Sequence, residues 1–100
     1  MQHLFDRVID QVVPRMIEWD QGHDFVEDGE TVVEVMWYRS NESWSLRAVI
    51  TEAADKVETL GEIEINCDVN DSSLGEVLTA AVNKELNDLL VKLQAIWDKS

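Results

Sequence analysis

Apolar residues along the first part of the chain fall at helical spacing: Leu4, Phe5, Val8, Ile9, Val12, Met16 and Trp19 recur every three or four positions. This pattern predicts an amphipathic helix over residues 3 to about 20. Pro14 lies inside it, removing one backbone hydrogen bond and crowding the carbonyl of Asp10, so a kink or a restart is expected there. Residues 20–30, DQGHDFVEDGE, combine two glycines with five acids and show little periodicity, which reads as a loop. The period then changes to two. In residues 31–38, Val33, Val35 and Trp37 share one side while Glu34, Met36 and Tyr38 share the other. After a polar turn at 40–43, residues 44–51 resume the alternation, with Trp44, Leu46, Ala48 and Ile50 on the apolar side. These two segments predict a hairpin with a four- or five-residue loop.

The stretch 52–60, EAADKVETL, fits either a short helix or strand extensions around a turn at Asp55. A third strand is predicted at 62–69, where Ile63, Ile65, Cys67 and Val69 alternate with Glu62, Glu64, Asn66 and Asp68. Asp71-Ser72-Ser73 then supplies N-cap oxygens, and Ser73 with Glu76 matches a capping box. The apolar positions that follow predict a C-terminal helix of about 39 Å at 1.5 Å per residue. Within it, Val82, Leu86, Leu89, Leu93 and Ile96 keep the alternating spacing of a coiled-coil seam. Leu86, Leu89, Leu93, Ile96 and Trp97 are candidates for a homodimer seam, although packing over the chain's own sheet is the commoner use of such a stripe. The expected fold is α+β: an N-terminal helix, a three-stranded antiparallel sheet and a long C-terminal helix, with both helices on one face of the sheet. Residues 1–100 read as a single acidic domain, a length sufficient for one core.

Charge changes this picture most. The formal net charge is −13. Between Arg15 and Arg39 lie seven carboxylates, Glu18, Asp20, Asp24, Glu27, Asp28, Glu30 and Glu34, with no lysine or arginine. Between Lys56 and Lys84 lie six more, Glu58, Glu62, Glu64, Asp68, Asp71 and Glu76. Local i,i+4 pairs cannot neutralise these stretches, so a negative field should face outward. That field repels nucleic acid and anionic lipid alike, excluding direct binding to either and pointing to a basic partner. With 45% apolar residues, the acids decorate a folded body rather than a disordered tail.

Candidate chemistry is thin. Cys67, the single cysteine, offers neither an intramolecular disulfide nor a zinc cluster, and its inward strand position predicts an inert core thiol. His23 sits among Asp20, Asp24, Glu27 and Asp28, hard donors suited to a divalent cation, but neither the ligand spacing nor the closing glutamate of an EF-hand is present. Glu62 and Glu64 lie two apart on one strand, without the deep cleft that would separate their pKa values for acid–base work. No P-loop, G-x-G-x-x-G, CxxC or H-E-x-x-H pattern occurs, so neither a cofactor nor an enzyme activity is expected. The charged residues inside the N-terminal apolar pattern do not fit a signal peptide, and no apolar run reaches a membrane span, which suggests a cytoplasmic protein.

These features lead to a non-catalytic protein-interaction module that binds a basic, nucleic-acid-handling protein. In size and charge the chain resembles the small acidic antagonists, of viral or mobile-element type, that mimic DNA or RNA to inhibit restriction, repair or CRISPR enzymes. The predicted contact residues are Asp24, Phe25, Glu27, Asp28, Glu30, Glu34, Met36, Tyr38, Glu62, Glu64 and Asp68. The order of a helix at 3–20, strands at 31–38, 44–51 and 62–69, and a long helix from residue 74 also resembles a shortened type III secretion chaperone. That resemblance implies a small homodimeric chaperone or adaptor holding an extended client segment on apolar surface.

Overall fold

The computed structural model describes residues 2–40, 43–64 and 72–99. Their order is α1 (Gln2–Glu18), β1 (Gln21–Asp28), β2 (Thr31–Ser40), β3 (Ser43–Glu52), β4 (Asp55–Glu64) and α2 (Leu74–Lys99). The four strands form one antiparallel meander in the order β1-β2-β3-β4. Both helices pack antiparallel to each other on one face, α1 over β1 and β2, α2 over β3 and β4. The α+β class and the arrangement of helices are those expected; the sheet has four strands rather than three.

The extra strand is β1. Residues 21–28, expected to be a loop, pair with β2 from Gln21↔Tyr38 to Asp28↔Thr31. The undecided stretch 52–60 is also strand. Glu52 pairs with Asp55, and Ala53, the first residue of the intervening turn, has φ 52°. The strand expected at 62–69 therefore begins earlier, at Asp55. Within β4 the alternation holds, with Ile63 buried and Glu62 and Glu64 exposed; Cys67, Asp68, Asp71 and the other residues of 65–71 lie outside the described residues. The hairpin of β2 and β3 is tighter than expected, since Ser40 pairs with Ser43. α1 runs through Pro14 without a restart. Asp10 and Pro14 are both exposed, so the carbonyl that loses its hydrogen bond can turn to water.

The core lies between helices and sheet. Phe5, Val8, Val12 and Met16 of α1 meet Val33, Val35 and Trp37 of β2 and Trp44, Leu46, Ala48 and Ile50 of β3. From α2 come Leu74, Leu78, Val82, Leu86, Leu89 and Leu93. Each buried Val, Leu, Ile, Phe or Met side chain among them contributes roughly 1.5–3 kcal/mol. The seam read from the heptad-like spacing thus covers the chain's own sheet through Leu93. Only its end, Ile96 and Trp97, is more than one-third exposed. The molecule measures 45 × 21 × 19 Å, its long axis matched to the 26-residue α2. Among the described residues no helix is long and apolar enough to cross a membrane.

Candidate functional site: the open face of the sheet

With both helices on one side, every second residue of each strand projects into the solvent on the other. Register arranges these residues in rows. One row is Gln21, Tyr38, Ser45 and Glu62; the next is His23, Met36, Arg47 and Leu60. Then follow Phe25, Glu34, Val49 and Glu58, and finally Glu27, Val32, Thr51 and Lys56. The face is therefore neither purely acidic nor purely apolar. Leu60 is 79% exposed, Tyr38 54% and Phe25 50%, among the most exposed large apolar residues of the protein. Val49, between Glu34 and Glu58 in its row, is buried although it stands outside the core cluster.

Of the acids expected to make contact, Glu27, Glu34, Glu62 and Glu64 lie on this face, together with Phe25, Met36 and Tyr38. Asp28 and Glu30 are exposed at the β1–β2 turn. Asp24 is elsewhere. Strand alternation turns it to the helix side, where it is 8% exposed, pairs with Arg15 of α1 and accepts a 2.9 Å hydrogen bond from the Phe25 amide. The same alternation separates His23 and Glu27 on the open face from Asp24 on the covered one. Among the described residues no group of three His, Cys, Asp or Glu side chains is placed to hold a metal ion.

The cation-free stretches are partly neutralised by residues distant in sequence. Asp20 pairs with Arg39, Asp24 with Arg15, and Glu58 with Arg47 across β3 and β4 at 2.6 Å. The hydrogen bond and opposite charge shared by the last pair hold Glu58 below the usual carboxylate range and raise Arg47 above its ordinary value. Glu27, Glu34, Glu62 and Glu64 have no ion-pair partner among the described residues.

A hollow of about 420 Å³ opens on this face, lined by Met36, Tyr38, Ser45, Arg47, Leu60 and Glu62. Its origin lies in the row Tyr38–Ser45–Glu62, where a small residue stands between two long ones. Leu60, its most exposed wall, is a residue that sequence reasoning missed. The signal was the alternation Val57, Thr59, Gly61, Ile63, whose inward members include a hydroxyl and a glycine and so lack apolar contrast. A broader groove between the helices, beside Asp6, Ile9, Asp10, Val13, Ile17 and Glu76, has its apolar floor largely buried. The sheet edges are partly blunted. Gln11 donates to the Phe25 carbonyl on β1 and Lys92 to the Glu58 carbonyl on β4, both at 3.3 Å.

Comparison of the chain with family models, with curated proteins and with solved structures finds no match. The functional reading rests on this surface alone.

Proposed function

We propose that the protein is a non-catalytic interaction module whose open sheet face binds an apolar, basic segment of another protein. The observation that supports this reading is the exposure of Phe25, Tyr38 and Leu60 on the same face of the sheet as Glu27, Glu34, Glu62 and Glu64, which have no ion-pair partner among the described residues. Large exposed apolar side chains interspersed with acids on one face are a feature of protein-binding surfaces. The carboxylates steer a cationic partner and disfavour acidic ones, whereas the apolar residues supply contact that salt does not screen. A second copy of the chain is a poor occupant, since two surfaces of a molecule with net charge −13 repel. This mode is closer to an adaptor or chaperone than to a pure charge mimic. The mimic reading, in which carboxylates imitate phosphates on a nucleic-acid-handling protein, is favoured by the net charge but gives Leu60 no role.

The test is affinity capture with the wild-type protein and with a Tyr38→Ser/Leu60→Ser variant. The expected result is capture of basic proteins by the wild type and their loss from the variant. Equal capture of the same proteins by both would contradict the open-face site.

A further inference from the structure

We propose that the hollow over Ser45 is an anchor point for one long-stemmed cationic side chain of the partner, arginine before lysine. The inference rests on the open face being the binding surface, and it specifies what that surface reads.

Adjacent strands lie roughly 4.8 Å apart, so Tyr38 and Glu62, two strands apart across Ser45, stand roughly 10 Å apart at their backbones. Van der Waals contact at roughly 4 Å on either side makes the gap over Ser45 about one aliphatic stem wide in that direction. Met36 and Leu60 in the adjoining row extend the apolar walls. One end of the hollow is charged. Arg47, which also lines it, is bonded to Glu58 in the row beyond Leu60, so its guanidinium leans away from Glu62. Glu62, without an ion-pair partner among the described residues, lines the hollow in the same row as the exposed Tyr38.

These groups discriminate among occupants. An aliphatic or aromatic side chain would fill the hollow but desolvate Glu62 without a partner, and an acid would be repelled. Lysine and arginine lay an apolar stem along Met36 and Leu60 while the charged head meets Glu62. Arginine adds a planar fork for the carboxylate and a cation–π contact with Tyr38.

The experiment selects peptides from a displayed random library on the wild-type protein, then measures their affinity for Glu62→Gln, Ser45→Trp and Phe25→Ser/Leu60→Ser. All these positions are exposed or on the open face, and Glu62→Gln keeps the side chain's shape, so retained folding is checked by circular dichroism. Enriched peptides should carry an arginine or lysine among apolar residues. Replacing that cation with norleucine, or Glu62 with Gln, should each weaken binding about tenfold, with little further loss when both changes are combined. Ser45→Trp should abolish binding by filling the hollow. Peptides lost on Phe25→Ser/Leu60→Ser but indifferent to their own cation and to Glu62→Gln would overturn the anchor while leaving the open-face reading intact. Failure to find any peptide sensitive to Phe25→Ser/Leu60→Ser would overturn both.

Discussion

Arg15, on the last turn of α1, grips the carboxylate of Asp24 on the covered side of β1. The contact fixes helix to edge strand and diverts one acid of a cation-free stretch from the outer field. Its two ends are unequally buried, at 44% side-chain exposure for Arg15 and 11% for Asp24. Removing the arginine strands a nearly buried charge, whereas removing the acid leaves a guanidinium that water can reach. Arg15→Ala should therefore destabilise the fold by roughly 1–3 kcal/mol, and Asp24→Asn by less. Urea denaturation of both variants measures the difference; equal losses would refute the asymmetry.

Gly22 and Gly61 both face the helices, but against different neighbours. A Cβ on Gly22 would lie 2.7 Å from the Trp37 ring, which is held in the core with its indole N–H donating to the Trp19 carbonyl at 3.2 Å. A Cβ on Gly61 would meet only the carboxylate end of Glu85, on a flexible side chain. Gly22→Ala should lose roughly 1–3 kcal/mol and perturb tryptophan fluorescence. Gly61→Ala should be near neutral. A thermal melt of each distinguishes the two cases.

Ala53 begins a two-residue hairpin turn at φ 52°, in the left-handed region that glycine occupies without strain. Ala53→Gly should raise stability by about 0.5–1 kcal/mol, because the strain relieved exceeds the added freedom of the unfolded chain. Gly29, at φ 64° in the β1–β2 turn, is already matched, and Gly29→Ala should lower stability by about 1 kcal/mol. Equilibrium unfolding of the pair checks the opposite signs.

Glu58 is held below the usual carboxylate range by its hydrogen bond to, and opposite charge on, Arg47. Because the folded pKa is the lower one, the resulting stability is present above the ordinary carboxylate pKa and is lost as pH falls through the depressed value. Wild type and Glu58→Gln should accordingly converge in stability on acidification, after differing slightly near neutrality. The pair is exposed, so added salt should shrink the difference. Stability curves that stay parallel into acid would contradict this.

Much of the architecture was legible because it depends on local pattern. Alternation from Val33 to Trp37 and from Trp44 to Ile50 named the covered face of the central hairpin, and the spacing of Leu86, Leu89 and Leu93 named the buried stripe of α2. β1 was hidden because its inward positions are Gly22, Asp24, Val26 and Asp28, only one of them apolar. Gly22 is required by the Trp37 ring and Asp24 is satisfied by Arg15, both relationships between distant parts of the chain. Such pairings leave no local trace. The acidic outer positions Glu34, Glu62 and Glu64 followed from alternation, but Leu60 and the hollow depend on the strand register that sets Ser45 between Tyr38 and Glu62.

The most direct test of the open-face account compares capture of basic partners at about 50 and 500 mM salt, limits between which the Debye length shrinks severalfold. Three baits are needed: wild type, Tyr38→Ser/Leu60→Ser, and a Glu27→Gln/Glu34→Gln/Glu62→Gln/Glu64→Gln charge variant. The account predicts weakened but persistent wild-type capture at high salt, and loss with the apolar variant at both concentrations. The charge variant should lose mainly the capture seen at low salt. Complete release of the wild-type complex by salt, with undiminished low-salt capture by Tyr38→Ser/Leu60→Ser, would contradict the account and leave charge mimicry in its place.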